Sequence, residues 1–177
     1  PVIGPLVAQR LENGNTFIAN DHQFLEFDKT GNEVLNVTFP DEGRKIMKAM
    51  KLPNGQILAM LADSRIVRFD TRGQEIHSFQ INIGLRLFGG RIQMLPNGRI
   101  LVPHTAEGKV VEYDAKGKAV WEVALEQPII ATRLPNGNTL VTSMDPGVGA
   151  VEVDRVGNRL WSYTHESNTR VTRAIRR

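Results

Sequence analysis

At 177 residues, with 41% apolar and 23% charged side chains, the chain has the composition of a folded domain and not of a disordered segment. No apolar run approaches the roughly 20 residues that cross a bilayer, and Pro1-Val2-Ile3-Gly4-Pro5 lacks the charged-then-apolar pattern of a signal peptide. The absence of cysteine excludes disulfides, thiolate metal ligands and cysteine nucleophiles, and fits a reduced cytoplasm as well as export.

The net charge of +3 resides in the tail, where Arg170, Arg173, Arg176 and Arg177 cluster; the other 18 basic side chains face 19 acidic ones. That balance excludes the overall basic field of a nucleic-acid binder. The first predicted unit, residues 5–40, contains RLENGNTFIA from Arg10, then FDKTG with Asp28 and Gly31, then Val34 and Leu35. The second, residues 44–82, repeats this as KLPNGQILAM from Lys51, FDTRG with Asp70 and Gly73, then Ile76 and His77. The third, residues 88–126, reads MLPNGRILVP from Met94, YDAKG with Asp114 and Gly117, then Val120 and Trp121. The fourth, residues 128–166, reads RLPNGNTLVT from Arg133, VDRVG with Asp154 and Gly157, then Leu160 and Trp161. Residues 168–177 resemble the opening strand of a fifth.

The first-turn glycines, Gly14, Gly55, Gly98 and Gly137, lie 41, 43 and 39 residues apart, a period that specifies a repeat architecture. Each unit reads as four strands, A to D. Pro-Asn-Gly closes the A–B hairpin with a fixed φ, an Asx side chain and a residue tolerant of positive φ, and Asp-x-x-Gly closes C–D. Strand B, as in Thr139-Leu140-Val141, is continuously apolar and expected to be buried on both faces, whereas Val110-Val111-Glu112-Tyr113 in strand C reads as an alternating pattern. Units of this length cannot bury both sheet faces alone. Stacking as blades of an all-β β-propeller solves that problem, and a sandwich or barrel would not require such regular spacing of both turns. The expected fold is four complete blades plus the first strand of a fifth, a partial or oligomer-completed propeller. Open blade edges then invite self-association.

LPNGNTLV, followed by VEVD, a glycine and LW or VW, resembles bacterial propeller repeats of the pyrroloquinoline-quinone-like type, with related arylsulfotransferase-like and NHL-type repeats. For quinone-binding members the resemblance would imply a dehydrogenase with bound Ca²⁺ and a catalytic aspartate. This sequence has no paired cysteines and no tryptophan-docking pattern, so that implication does not carry over. Arylsulfotransferase-like repeats carry His-Asp shortly before the LPNG turn. Here the residues ahead of the four strings read Val-Ala-Gln, Lys-Ala-Met, Arg-Ile-Gln and Ile-Ala-Thr, without that histidine.

In a propeller the B–C and D–A loops share one rim, the usual ligand face. The polar residues that fall there are Asp21, His22, Arg44, Asp63, Arg65, Arg86, His104, Glu126, Asp145 and His165. Their spacings match no metal-ligand motif, and short polar loops also serve as solvated connections, so no cofactor or metal is expected. Asp28, Asp70, Asp114 and Asp154 sit at a fixed distance from a turn glycine and read as turn caps, not as a carboxylate ring. Trp121 and Trp161 are expected to pack between blades, His77 on a blade surface, and Leu87-Phe88-Gly89-Gly90 to start a slim strand near the axis. Asp145 to Gly149 forms a longer B–C loop.

Two function classes follow. The leading one is a non-catalytic scaffold that binds a protein or small-molecule ligand on the loop face. The alternative is a lyase, hydrolase or transferase whose site gathers His22, Asp63, Arg65, His104 and Asp145, and their convergence would favour it. A lesser expectation is that the arginine tail docks on an acidic partner or membrane surface.

Overall fold

The computed structural model describes residues 4–39, 45–84, 91–166 and 169–176. Among these residues there are sixteen strands and no helix, arranged as four antiparallel four-stranded sheets. The first blade contains β1 (Val7–Arg10), β2 (Thr16–Ala19), β3 (Gln23–Phe27) and β4 (Glu33–Thr38). The second contains β5 (Ile46–Lys51), β6 (Ile57–Leu61), β7 (Arg65–Phe69) and β8 (Glu75–Gln80). The third contains β9 (Gln93–Met94), β10 (Ile100–His104), β11 (Lys109–Tyr113) and β12 (Ala119–Ala124), and the fourth β13 (Pro128–Arg133), β14 (Thr139–Ser143), β15 (Ala150–Val153) and β16 (Arg159–Tyr163). The first two blades form one compact unit and the last two another.

Both turn signatures act as their chemistry dictates. In the first A–B turn, Leu11 N–H donates to Asn15 O at 2.9 Å, Gly14 N–H donates to Leu11 O at 2.9 Å, and Asn13 Oδ1 accepts the Asn15 amide at 2.9 Å. The same hydrogen bonds recur at Leu52, Leu95 and Leu134. In the C–D turn, Asp28 Oδ1 accepts the amides of Thr30 and Asn32 at 2.8 and 2.9 Å. Asp70, Asp114 and Asp154 repeat that pattern, so the four aspartates are turn caps.

Each C–D ladder also slips its register one residue before the aspartate, at Glu26/Phe27, Arg68/Phe69, Glu112/Tyr113 and Glu152/Val153. The residue left without a partner on strand D is Val34, Ile76, Val120 or Leu160, the apolar position that recurs three after each turn glycine. These four are the extra residues of β-bulges, and all are exposed.

Burial follows blade stacking within each unit. β6, β10 and β14 are buried along their whole length, as strand B is expected to be, while β2 alternates between buried and half-buried residues. The first unit has an aromatic core, with the Phe24 ring centroid 5.2 Å from Phe39, 5.3 Å from Phe69 of the second blade and 5.9 Å from Phe17. Full burial of such a ring stabilises by about 2–3 kcal/mol. The second unit has an aliphatic core of Leu101, Val110, Val141, Val151 and neighbours. Strand C departs from the alternating pattern read in the sequence: Val110 through Tyr113 are all buried, Glu112 included, because the fourth blade covers the face on which the glutamate stands. Residues 169–176 pair with no strand, yet Arg176 reaches Glu152 on β15.

Candidate functional site

The loop end of the blades holds the residues singled out for binding, and the structure engages them in small local groups. Asp21 Oδ2 lies 3.2 Å from His22 Nε2. Asp63 Oδ2 accepts from Arg65 Nε at 2.7 Å, and the same guanidinium reaches Glu75 at 3.2 Å. Asp145 is spent on its own loop, where Oδ1 accepts the Gly147 amide and its carbonyl accepts those of Val148 and Gly149. Glu126 meets Arg159 at 3.4 Å, and His165 Nδ1 lies 3.0 Å from Thr169 Oγ1. Arg44, Arg86 and the stretch Leu87 to Gly90 lie outside the described residues. Of the five residues proposed for a shared site, Asp63 and Arg65 are in contact, while His22 lies against Asp21 and His104 against Tyr113.

His104 ends β10 and is 1% exposed. Its Nε2 lies 2.8 Å from Tyr113 Oη, and Nδ1 stands 3.8 Å from Glu107 Oε2, too far for a hydrogen bond. Burial pushes the imidazole down to about 4 against the opposing pull of Glu107, and burial pushes the Tyr113 phenol up to about 12. Both are therefore neutral near pH 7. The protonated phenol donates to Nε2, an assignment that puts the ring proton on Nδ1, facing the carboxylate.

The opposite end, with the A–B and C–D turns, holds a charged arrangement that the sequence pattern obscured. Glu112 Oε1 takes Arg99 of its own blade at 3.0 Å, while Oε2 takes Arg133 and Arg155 of the next blade at 2.9 and 2.7 Å. Burial alone would raise this carboxyl, but hydrogen bonds from Arg99 and Arg155 and the arginine charges outweigh it and hold it below the usual range. The Arg133 guanidinium lies over the Trp121 ring at 4.4 Å, and the Trp121 indole N–H donates to Arg155 O at 2.7 Å. Trp121 thus packs between blades as expected.

The same clasp joins the first two blades, where Glu26 takes Asn15 at 2.7 Å and Lys51 at 2.8 Å. Glu152 repeats it with Asn138 at 2.6 Å and Arg176. A glutamine on strand A, two strands over in register with the glutamate, completes the pattern: Gln9 exchanges two hydrogen bonds with the Lys51 backbone, and Gln93 accepts the Arg133 amide. A signal was available in the sequence, since a glutamate stands two residues before the turn aspartate in the first, third and fourth units, and a base ends strand A in the first, second and fourth. The second unit has Arg68 in the glutamate's place and the third has Met94 in the base's.

Open cavities lie at this turn end. One of about 610 Å³ runs between the A–B turns of the first two blades, lined by Arg10, Glu26, Lys51 and Thr71. Another of about 520 Å³ lies between Glu152, Leu160 and Trp161 of the fourth blade and Ala174 to Arg176. Among the described residues no cluster of three or more His, Asp or Glu has the placement of a metal site.

Three solved structures illustrate what the chain is similar to. A Bacteroides caccae protein of unknown function matches at TM-score 0.74 and 20% identity over 90% of this chain and 60% of its own. Virginiamycin B lyase from Staphylococcus aureus matches at 0.68 and 15% over 93% and 56%. BamB from Moraxella catarrhalis matches at 0.56 and 18% over 90% and 51%. The chain therefore spans between about half and three fifths of their lengths, and at these identities they share its fold. No curated protein matches it. Residues 62–177 match the repeat-family model described as outer membrane protein assembly factor BamB. With four meander blades, paired turn signatures and a match over the greater part of its length, the chain is a bacterial β-propeller repeat protein and belongs to that PQQ-like family.

Proposed function

We propose that this chain is a non-catalytic, protein-binding propeller scaffold that uses its B–C and D–A loop end. The observation that supports the reading most is the state of the ionisable groups there. Asp21–His22, in the first B–C loop, and Asp63–Arg65, where the second B–C loop enters β7, are half-exposed pairs based on the strands and open to a partner's polar groups. Such dispersed polar pairs suit the rim of a protein interface. The family description, an assembly factor, is in keeping with a role in holding other proteins, and outer membrane protein assembly is the process we propose for it.

A second reading, a lyase, hydrolase or transferase, draws on the buried neutral His104 against Tyr113 and on the fold shared with virginiamycin B lyase. Site-specific photocrosslinking in the producing bacterium separates the readings. A photoreactive residue at positions 22, 65 and 106 should yield one discrete protein adduct, and at turn positions 30, 72 and 116 none. Adducts of equal yield at both ends, or none at the loop end, would overturn the scaffold reading.

A further inference from the structure

The clasp that Glu26 makes with the second blade and the clasp that Glu112 makes with the fourth are the same construction, each inside one compact unit. In the second unit two cations of the following blade meet on Glu112 Oε2, Arg133 at the end of strand A and Arg155 directly after the turn aspartate. Arg155 also lies over the ring of Trp121, at 5.6 Å, and Trp121 stands opposite Glu112 in the ladder. Arg99 holds the other oxygen, so this carboxylate faces three guanidinium groups.

In the first unit the chain supplies one cation in place of these three. Lys51 takes the place of Arg133, Asn15 that of Arg99, and Leu35 stands opposite Glu26 where Trp121 stands opposite Glu112. The residue after the turn aspartate Asp70 is Thr71, whose methyl lies over its own turn, 3.0 Å from where a Gly55 Cβ would stand. Both blades that flank this clasp have all four strands, so the difference is written into the chain at position 71.

Beside the Glu26 carboxylate lies the cavity of about 610 Å³, bounded by Glu12, Met50, Lys51, Leu52 and Thr71. That volume falls in the range of sites that enclose a small molecule, roughly 300–1,000 Å³. Glu26 is 7% exposed. Burial alone would raise its carboxyl, but hydrogen bonds from Lys51, Asn15 and Asn13 and the Lys51 charge hold it below the usual range, so it is ionised at neutral pH. Of the cations lining the cavity, Lys51 is engaged by Glu26, and Arg10 donates to Gly14 O of its own turn at 2.7 Å. A further positive group on Glu26 would share it with one cation, whereas Arg155 shares Glu112 with two. A guanidinium suits the place better than an ammonium, because it is weakly hydrated, bridges neighbouring acceptors in one plane and packs on apolar surface.

We propose that this cavity binds a small guanidinium compound of the size of free arginine, with its head group on Glu26 Oε2 where Arg155 sits on Glu112 and its body against Met50 and Leu52. The site lies at the turn end and stands independently of the loop-end reading above.

Calorimetric titration of the whole chain with L-arginine tests it, with lysine and the uncharged isostere citrulline as comparisons. The wild type should take up one arginine per chain, lysine several-fold more weakly, and citrulline not at all. Thr71→Arg changes an exposed residue and supplies the second cation from the chain itself. It should weaken arginine binding by roughly tenfold or more, as when a charge-assisted hydrogen bond is broken, and should melt at a higher temperature. Glu26→Gln should weaken binding by a similar factor, with circular dichroism reporting its folding. No uptake of arginine by the wild type, equal uptake of citrulline, or binding left unchanged by Thr71→Arg would overturn the site. A capped Gly-Arg-Gly peptide bound more tightly than free arginine would overturn the assignment of the guanidinium to a small molecule.

Discussion

His104 shows how one side chain's environment reverses its expected role. On the loop rim a histidine suggests a solvent-facing acid, base or ligand; here it is sealed at the end of β10 against Tyr113 and kept neutral by burial. Its folded value of about 4 lies below the 6.5 of an open histidine. The unfolded chain then takes up a proton as the pH falls below about 6.5 while the native chain does not, so stability is full above that pH and declines toward pH 4. The loss at pH 5 should approach about 2 kcal/mol. Urea midpoints from pH 7.5 to 4.5 should fall more steeply for the wild type than for His104→Gln, which keeps an acceptor for the phenol; parallel profiles would show that His104 takes no part. Nothing in the sequence marked it as buried, because its position beside Glu107 and before the loop reads the same for either fate.

The turns show the opposite case at the level of the element, since they are local and their chemistry is written in adjacent residues. Gly73 and Gly137 both adopt the left-handed region, at φ of 82° and 88°. A Cβ at Gly137 meets nothing within 4 Å, so Gly137→Ala should cost only the backbone strain of about 1–2 kcal/mol. A Cβ at Gly73 would stand 2.5 Å from Val37 Cγ2 on β4 of the first blade. Gly73→Ala must also push two blades apart, and its loss should exceed that of Gly137→Ala by at least about 1 kcal/mol. Equal urea midpoints for the two variants would refute the close approach. The repeat named both glycines alike; only the stacked blades distinguish them. The bulge residues Val34, Ile76, Val120 and Leu160 were equally legible as a recurring apolar position, but their exposure depends on the ladder slip that precedes them.

For the molecule as a whole, each compact unit is held across its blades by apolar packing and by a buried carboxylate clasp. Glu112 faces three arginines, of which Arg133 is itself nearly buried. Removing the carboxylate leaves Arg133 without compensation, so Glu112→Ala should cost about 3–5 kcal/mol, whereas an exposed pair such as Lys109–Glu122 should be worth less than about 1 kcal/mol. Denaturant unfolding of Glu112→Ala beside Glu122→Ala checks the contrast, and similar losses would contradict the clasp. Glu112 was misread from sequence because a glutamate between valines and a tyrosine has the pattern of a half-solvated strand, and no local feature announces that another blade will cover it.

The sequence by itself determined the period, the four blades, their strand order and both turns, because a four-stranded meander is built from neighbours and closed by turn residues a few positions apart. The tertiary structure decided which charges are buried and which loop residues pair. Glu112 with Arg133 and Arg155, or Glu26 with Lys51, join residues more than 20 positions apart on different blades. Such pairs form only when sheet faces stack, and stacking removes the water that would otherwise make a glutamate and an arginine indifferent to one another.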